Sequence, residues 1–189
     1  TKTISTCRGL SISESYINLK TNLQASNKLD ILPQFKPLFE KISQTVSLAN
    51  GTSLNDGLQA ARWCLEHNLI QQAYTILLEL VSSYVATAAG LDKLDGKSVN
   101  SAADCRANNR SEEQWKGDKS EKDKIRKVID WFNCEGNKNN IDLGNIISNL
   151  AGRRNDIDHA GMRDKPANAQ AIINSITDIV NNVARYAGK

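Results

Sequence analysis

The sequence predicts an all-α protein, and three observations carry that prediction. Apolar residues recur at helical spacing wherever they cluster. Alternating runs of the kind that form half-buried strands are almost absent after the first twenty residues. The apolar runs also end on helix-stop signals such as Asn50-Gly51 and Asn68. The expected architecture is a bundle of about five to six helices, carrying a long polar insertion over about residues 91–124. A chain of 189 residues is long enough for one domain with a buried core.

In chain order, residues 1–28 are polar and serine-rich and read as a linker or appendage; the helical domain occupies 29–189. A first helix starts near Pro33, with Phe35, Leu38, Phe39, Ile42 and Val46 on one stripe. A second spans 54–67 with Leu58, Ala61, Trp63 and Leu65 apolar, and Asn68 suits a left-handed C-terminal conformation. Leu69 to Ala89 forms a long helix whose stripe includes Ile70, Ala73, Leu77, Leu80, Val81 and Tyr84; its width predicts burial on more than one side. Residues 91–110 break the pattern with Gly, Asn, Ser and Asp and read as a long surface connection. Ser111 and Gln114 have capping-box spacing before a helix to about Phe132, weakened by Gly117 and by the solvated charge run KGDKSEKDK, with Ile125, Val128, Ile129 and Phe132 buried. After a turn at CEGNKNN, Asp142 is the expected cap of the next helix, and Pro166 suits the first turn of a final helix through Ala187.

Composition narrows the function classes. The net charge of +3 permits a nucleic-acid partner without predicting one, so any electrostatic site must be local. Cys7, Cys64, Cys105 and Cys134 are scattered and form no CxxC pair, which leaves zinc-ribbon and thioredoxin-like readings without support. With no signal-peptide pattern, a reduced, cytoplasmic setting is expected. The longest apolar run, AYTILLELV, is too short to span a bilayer and contains Glu79, so no membrane partner is expected. The chain opens on Thr1 rather than methionine, which leaves open that it is an excised or processed part of a longer polypeptide.

Chemistry concentrates in RRNDIDHAG, residues 153–161. On a helical wheel Leu143, Ile146, Ile147, Leu150 and Ile157 form one stripe, and Arg154 falls in its middle. A guanidinium facing a core needs a carboxylate, an anionic ligand or a wet cleft. Two readings stand: a structural salt bridge, with Glu79 as the best candidate partner, or a functional anion site. His159 lies four residues after Asn155, on the same face, but about 140 degrees around the helix from Arg154. Bringing Arg154 and His159 to one phosphate needs a bend, for which Gly152 is the weak point, or two copies meeting at a dimer axis. His67 reads as a helix cap, and Trp63 and Tyr84 read as core.

The stretch RNDIDH resembles the signature of HEPN ribonucleases, in which Arg and a polar residue, commonly Asn, are followed by a closing His. AARWCLEHNLIQQAYTILLELVSSYV, residues 60–85, resembles the two-helix start of the HEPN domain in CRISPR-associated proteins that join a CARF domain to HEPN. The resemblance covers roughly residues 54–187 and makes 91–124 a family-variable insertion. It implies a metal-independent endoribonuclease that cleaves single-stranded RNA by 2′-hydroxyl attack, leaving a 2′,3′-cyclic phosphate and a 5′-hydroxyl, in type III CRISPR antiviral defence. Arg154, Asn155 and His159 would be catalytic and Arg153 RNA-binding, lining a cleft between the copies of a homodimer. An intact parent would carry an upstream CARF domain that answers to cyclic oligoadenylate; no CARF pattern of alternating strands and helices precedes residue 54. Asp156 and Asp158 depart from what suits an RNA backbone, and Arg153 partly offsets them. The residue types fit the implied chemistry, since histidine exchanges protons near neutral pH and arginine presents a bidentate fork to a phosphorane-like transition state. No sequence pattern makes a case for a metal or other cofactor. The alternative is a non-catalytic HEPN-type helical module that binds a nucleotide or protein, or dimerises, with Arg154 as a structural ion.

Overall fold

A computed structural model describes residues 2–26, 33–49, 53–134, 138–162 and 164–187. Among these residues the chain is all helical, with nine α-helices rather than five or six. They are α1 (Lys2–Ser5), α2 (Ile12–Ser26), α3 (Lys36–Ser47), α4 (Ser53–Glu66), α5 (Ile70–Ala88), α6 (Gly96–Ala107), α7 (Lys119–Phe132), α8 (Lys138–Asp158) and α9 (Ala169–Ala187). They divide into two compact units, residues 1–76 with 180–189, and residues 77–179. Helices α5 and α9 each lend residues to both. No helix of the described residues is long and apolar enough to cross a membrane.

In the first unit, residues 1–28 are not a mere linker: their described part forms α1 and α2, and α2 packs against α3 and α4. Ile12, Tyr16 and Leu23 are buried, and their spacing puts them within about 40 degrees of one another on the helix. So narrow a stripe in a serine- and asparagine-rich segment is easily hidden by composition. The stripe expected on α3 is only partly internal. Val46 is buried, whereas Phe35 and Leu38 stay exposed. Pro33 opens a 3-10 turn, Pro33–Phe35, and α3 follows it. Helix α4 buries Leu58, Ala60, Ala61 and Cys64, and its Trp63 is part-exposed and stacked on His67 at 4.1 Å. The Asn50-Gly51 stop lies outside the described residues.

In the second unit the segment expected to be a surface connection contains α6, packed against α7 and α8. Its buried side is made of Ser98, Val99, Ala102, Ala103 and Cys105. Small side chains let the backbones approach closely, so the helix gains its contacts without the bulky apolar residues that betray a helix in sequence. Ser82 of α5 donates a hydrogen bond to Asn100 of α6 at 2.8 Å, and Lys124 of α7 pairs with Asp95 at 2.6 Å.

Ser111 and Gln114 do form a capping box, but on a 3-10 turn, Glu112–Gln114. Helix α7 begins later, behind a second box of Asp118 and Glu121. Gly117 separates them at φ +108, where a Cβ would sit 2.8 Å from that of Glu121, so only glycine allows the break. The expected buried side of α7 holds for Ile125, Val128 and Phe132, with Ile129 half-buried. Asp142 is not the cap of α8, which starts at Lys138 and so includes the end of the expected turn. Pro166 precedes α9 instead of sitting in its first turn; Asn168 accepts the Ala171 N–H at 2.8 Å and serves as the cap. Helix α5 is as widely buried as its sequence implies, but Tyr84 is 37% exposed and not core.

Several helices stop in the same way. Asn68, Gly90, Asn109 and Ala160, each the second residue past the end of α4, α5, α6 and α8, take left-handed conformations. Each is followed by a residue whose N–H returns to a carbonyl five positions back: Leu69 to Cys64, Leu91 to Ala86, Arg110 to Cys105 and Gly161 to Asp156. These are Schellman ends, which satisfy the last carbonyls of a helix and turn the chain sharply. Asn and Gly adopt this conformation at little cost. Ala160 does not, and it lies beside His159.

Candidate functional site at the end of helix α8

Leu143, Ile146, Ile147 and Leu150 bury one face of α8, while Ile157, at the far end of the same stripe, is only half-buried. Arg154 therefore lies where the core opens to solvent, with its side chain 33% exposed. Its Nη1 donates to Glu79 Oε1 of α5 at 3.1 Å, and its Nε lies 3.6 Å from Asp158 Oδ2 one turn along α8. The carboxylate chosen from sequence as Arg154's best partner is thus the one it meets, although the pair is half-open rather than buried. Nη2 has no protein partner among the described residues. Two carboxylates hold the guanidinium in place and partly offset its charge.

His159 is the last residue of the helical turn, immediately before left-handed Ala160 and Gly161. Its N–H is bonded to the Asn155 carbonyl at 3.2 Å, and its own carbonyl accepts the Met162 N–H at 2.8 Å, so both sides of its backbone are fixed. The side chains of Asn155 and His159 are both exposed, and no hydrogen bond or ion pair engages either among the described residues. One turn apart, they share a face. Helical hydrogen bonding continues through Gly152, so α8 is not broken there, and Arg154 stays about 140 degrees from His159.

Asp156 is 5% exposed, and its Oδ2 accepts the Ala167 N–H at 2.9 Å, tying the segment before α9 to α8. Asp158 is held by Arg154. The two acidic departures are thereby occupied within the chain. Arg153 points elsewhere: with Ser148, Asn149, Gly152, Asp156 and Lys165 it lines a polar cleft of about 240 Å³ that includes neither Asn155 nor His159. Lys165 had no signal in sequence, since it sits in an irregular segment at φ +53. Among the described residues, no three His, Cys, Asp or Glu side chains gather closely enough to hold a metal ion.

No protein-family model, curated protein or solved structure matches the chain.

Proposed function

We propose that the chain is a HEPN-type endoribonuclease domain that cleaves single-stranded RNA without a metal, as a homodimer. The observation that carries this reading is the pair Asn155 and His159, exposed and unengaged one turn apart on α8, with Arg154 on another face of the same helix. In the step proposed, His159 takes the proton of an RNA 2′-hydroxyl. The O2′–P bond forms and the P–O5′ bond breaks, leaving a 2′,3′-cyclic phosphate. The 5′-oxygen takes up a proton, from the partner copy's imidazolium or from water. Arg154 stabilises the charge that develops on the phosphoryl oxygens, and Asn155 orients the histidine or a phosphate oxygen. By the same resemblance the setting is cytoplasmic type III CRISPR defence, with an upstream CARF domain and cyclic oligoadenylate as activator.

The test is cleavage of a single-stranded RNA and of the same RNA with 2′-deoxy sugars, with end-group analysis of the products. Wild-type chain should leave cyclic phosphate ends on the first and leave the second intact, EDTA should change nothing, and His159→Ala should remove most activity with its melting temperature retained. Undiminished cleavage by His159→Ala overturns the assignment.

A second reading is favoured by the contacts of Arg154 with Glu79 and Asp158: a non-catalytic helical module in which this arginine is a structural ion. RNA binding or self-association without any cleavage, in the presence of the upstream domain, would select it.

A further inference from the structure

Arg106, on α6, is one of several cations of the second unit with no carboxylate within ion-pair distance among the described residues, and it differs from the others in lining a cleft beside an aromatic ring. The residue is part-exposed, and its guanidinium is held by neutral groups. Nη1 donates to Asn145 Oδ1 at 3.2 Å, and the guanidinium carbon lies 6.0 Å from the centre of the Phe132 ring. The space it fills exists because residue 144 is glycine: a Cβ there would come within 3.1 Å of Nη1 and 3.3 Å of the Phe132 ring. The guanidinium is open to water on its outer side, and no carboxylate of the described residues offsets its charge. Here the charge is kept and positioned.

It faces a cleft of about 560 Å³, within the usual size of small-molecule sites. Its other walls include Arg110, the indole of Trp115 and the amides of Asn109, Asn133 and Asn145; no carboxylate is among the lining residues. Arg110 pairs with Asp104 at 3.2 Å, so its charge is partly spent. Trp115 is half-buried, and its Nε1 donates to the Arg110 carbonyl at 3.2 Å, which fixes the indole at the cleft rather than leaving it free to swing.

We propose that this cleft binds a nucleotide, with the phosphate on Arg106, the base against Trp115, and the asparagine amides contacting the base edge or sugar. An uncompensated guanidinium accounts for an anion, but not for an aromatic wall with hydrogen-bonding amides around it; a phosphate joined to a planar, polar ring uses all three. The nucleotide is either free or one link of an RNA strand, which share this chemistry. The site uses none of Arg154, Asn155 and His159, so it stands whether or not the ribonuclease reading holds.

The experiment is calorimetry and ¹H–¹⁵N NMR on the full chain with the four nucleoside 5′-monophosphates, the matching nucleosides, inorganic phosphate, and a short single-stranded RNA protected from cleavage by 2′-O-methyl groups. At least one monophosphate or the RNA should bind, with shifts confined to residues 105–115, 129–133 and 145. Nucleosides and inorganic phosphate should each bind at least about tenfold more weakly. Arg106→Gln should remove the advantage of nucleotide over nucleoside, and Trp115→Ala the advantage of nucleotide over phosphate. Asn145→Asp places a carboxylate beside the guanidinium in nearly the same shape; it should abolish binding with the fold intact, and covers the case where Arg106→Gln unfolds. Binding by the RNA alone assigns the site to a strand, and binding by mononucleotides to a free ligand. Phosphate binding as tightly as any nucleotide, no binding at millimolar concentrations, or binding indifferent to both Arg106→Gln and Asn145→Asp overturns the proposal.

Discussion

Replacing Arg154 by alanine removes two ion pairs, and their exposure sets the cost. The arginine side chain is 33% exposed, Glu79 51% and Asp158 43%, so water screens both contacts in the native state. Exposed pairs contribute roughly 0.2–1 kcal/mol each, which puts the expected loss at about 1 kcal/mol, well short of the roughly 3–5 kcal/mol that follows when a fully buried pair is broken. For a chain of this size, 1 kcal/mol lowers the melting temperature by about 2–4 °C. Activity should move far more, because a guanidinium that contacts the transition state is worth about 10²–10³ in rate. Arg154→Ala should therefore melt within a few degrees of wild type and cleave RNA at least about a hundredfold more slowly. Arg154→Lys should be similarly impaired, since lysine keeps the charge without the fork. The measurements are a thermal melt followed by circular dichroism and single-turnover cleavage of labelled RNA. A fall in melting temperature of more than about 10 °C with residual activity tracking the folded fraction would refute this reasoning and make Arg154 a structural ion.

Two further predictions concern stability. At Ala160, φ +51 places a Cβ in the left-handed region at a cost of about 1 kcal/mol, so Ala160→Gly should raise the urea midpoint by a corresponding amount while cleavage is retained; an unchanged or lower midpoint contradicts the left-handed helix end. In the first unit, burial and the neighbouring Cys7 push the Cys64 thiol from 9.0 to about 12, and burial with Asp56 and Cys64 pushes the Tyr16 hydroxyl from 10.0 to about 12. Between these values the unfolded chain has released protons that the folded chain still holds, so stability is full below about pH 9, falls as pH rises and levels off above about 12. Urea unfolding from about pH 8 to about pH 11 should show this loss, and Cys64→Ala with Tyr16→Phe should flatten it; an equal slope in the double variant would sink the attribution.

How much was legible in the sequence depended on how each residue earns its burial. Helices α4, α5, α7 and α8 bury bulky aliphatic stripes, and a period of 3.6 residues reveals those directly. Asn68 announced the end of α4 because asparagine tolerates the left-handed conformation it adopts at φ +57. Glu79 was legible as Arg154's partner because it is the lone charge within an apolar run. Helix α6 was not, because alanine, serine and cysteine pack by close approach and carry little hydrophobic signal. Nor was the Arg106 cleft: the amide that holds this guanidinium lies 39 residues away, and the space it occupies is the missing side chain of Gly144. Both depend on packing between α6 and α8, which no local pattern encodes.

The separation of Arg154 and His159 has a consequence for the proposed dimer. Helix α8 is continuous through Gly152, so the bend needed to bring both side chains to one phosphate from a single chain is not there, and the residues remain about 140 degrees apart. Two copies related by a two-fold axis can supply what one cannot, with the arginine of one chain acting beside the histidine of the other. Arg154→Ala and His159→Ala chains, each inactive alone, test this when mixed and allowed to exchange subunits. In the mixed dimer one chain keeps its arginine and the other its histidine, so one trans combination survives. Cleavage should then reappear, at up to roughly a quarter of the wild-type rate if half of the dimers are mixed and each retains half its function. Sites contained within one chain give no such rescue, because neither variant holds both residues. If size-exclusion chromatography shows that mixed dimers have formed and activity stays at the level of the separate variants, the composite cleft is refuted.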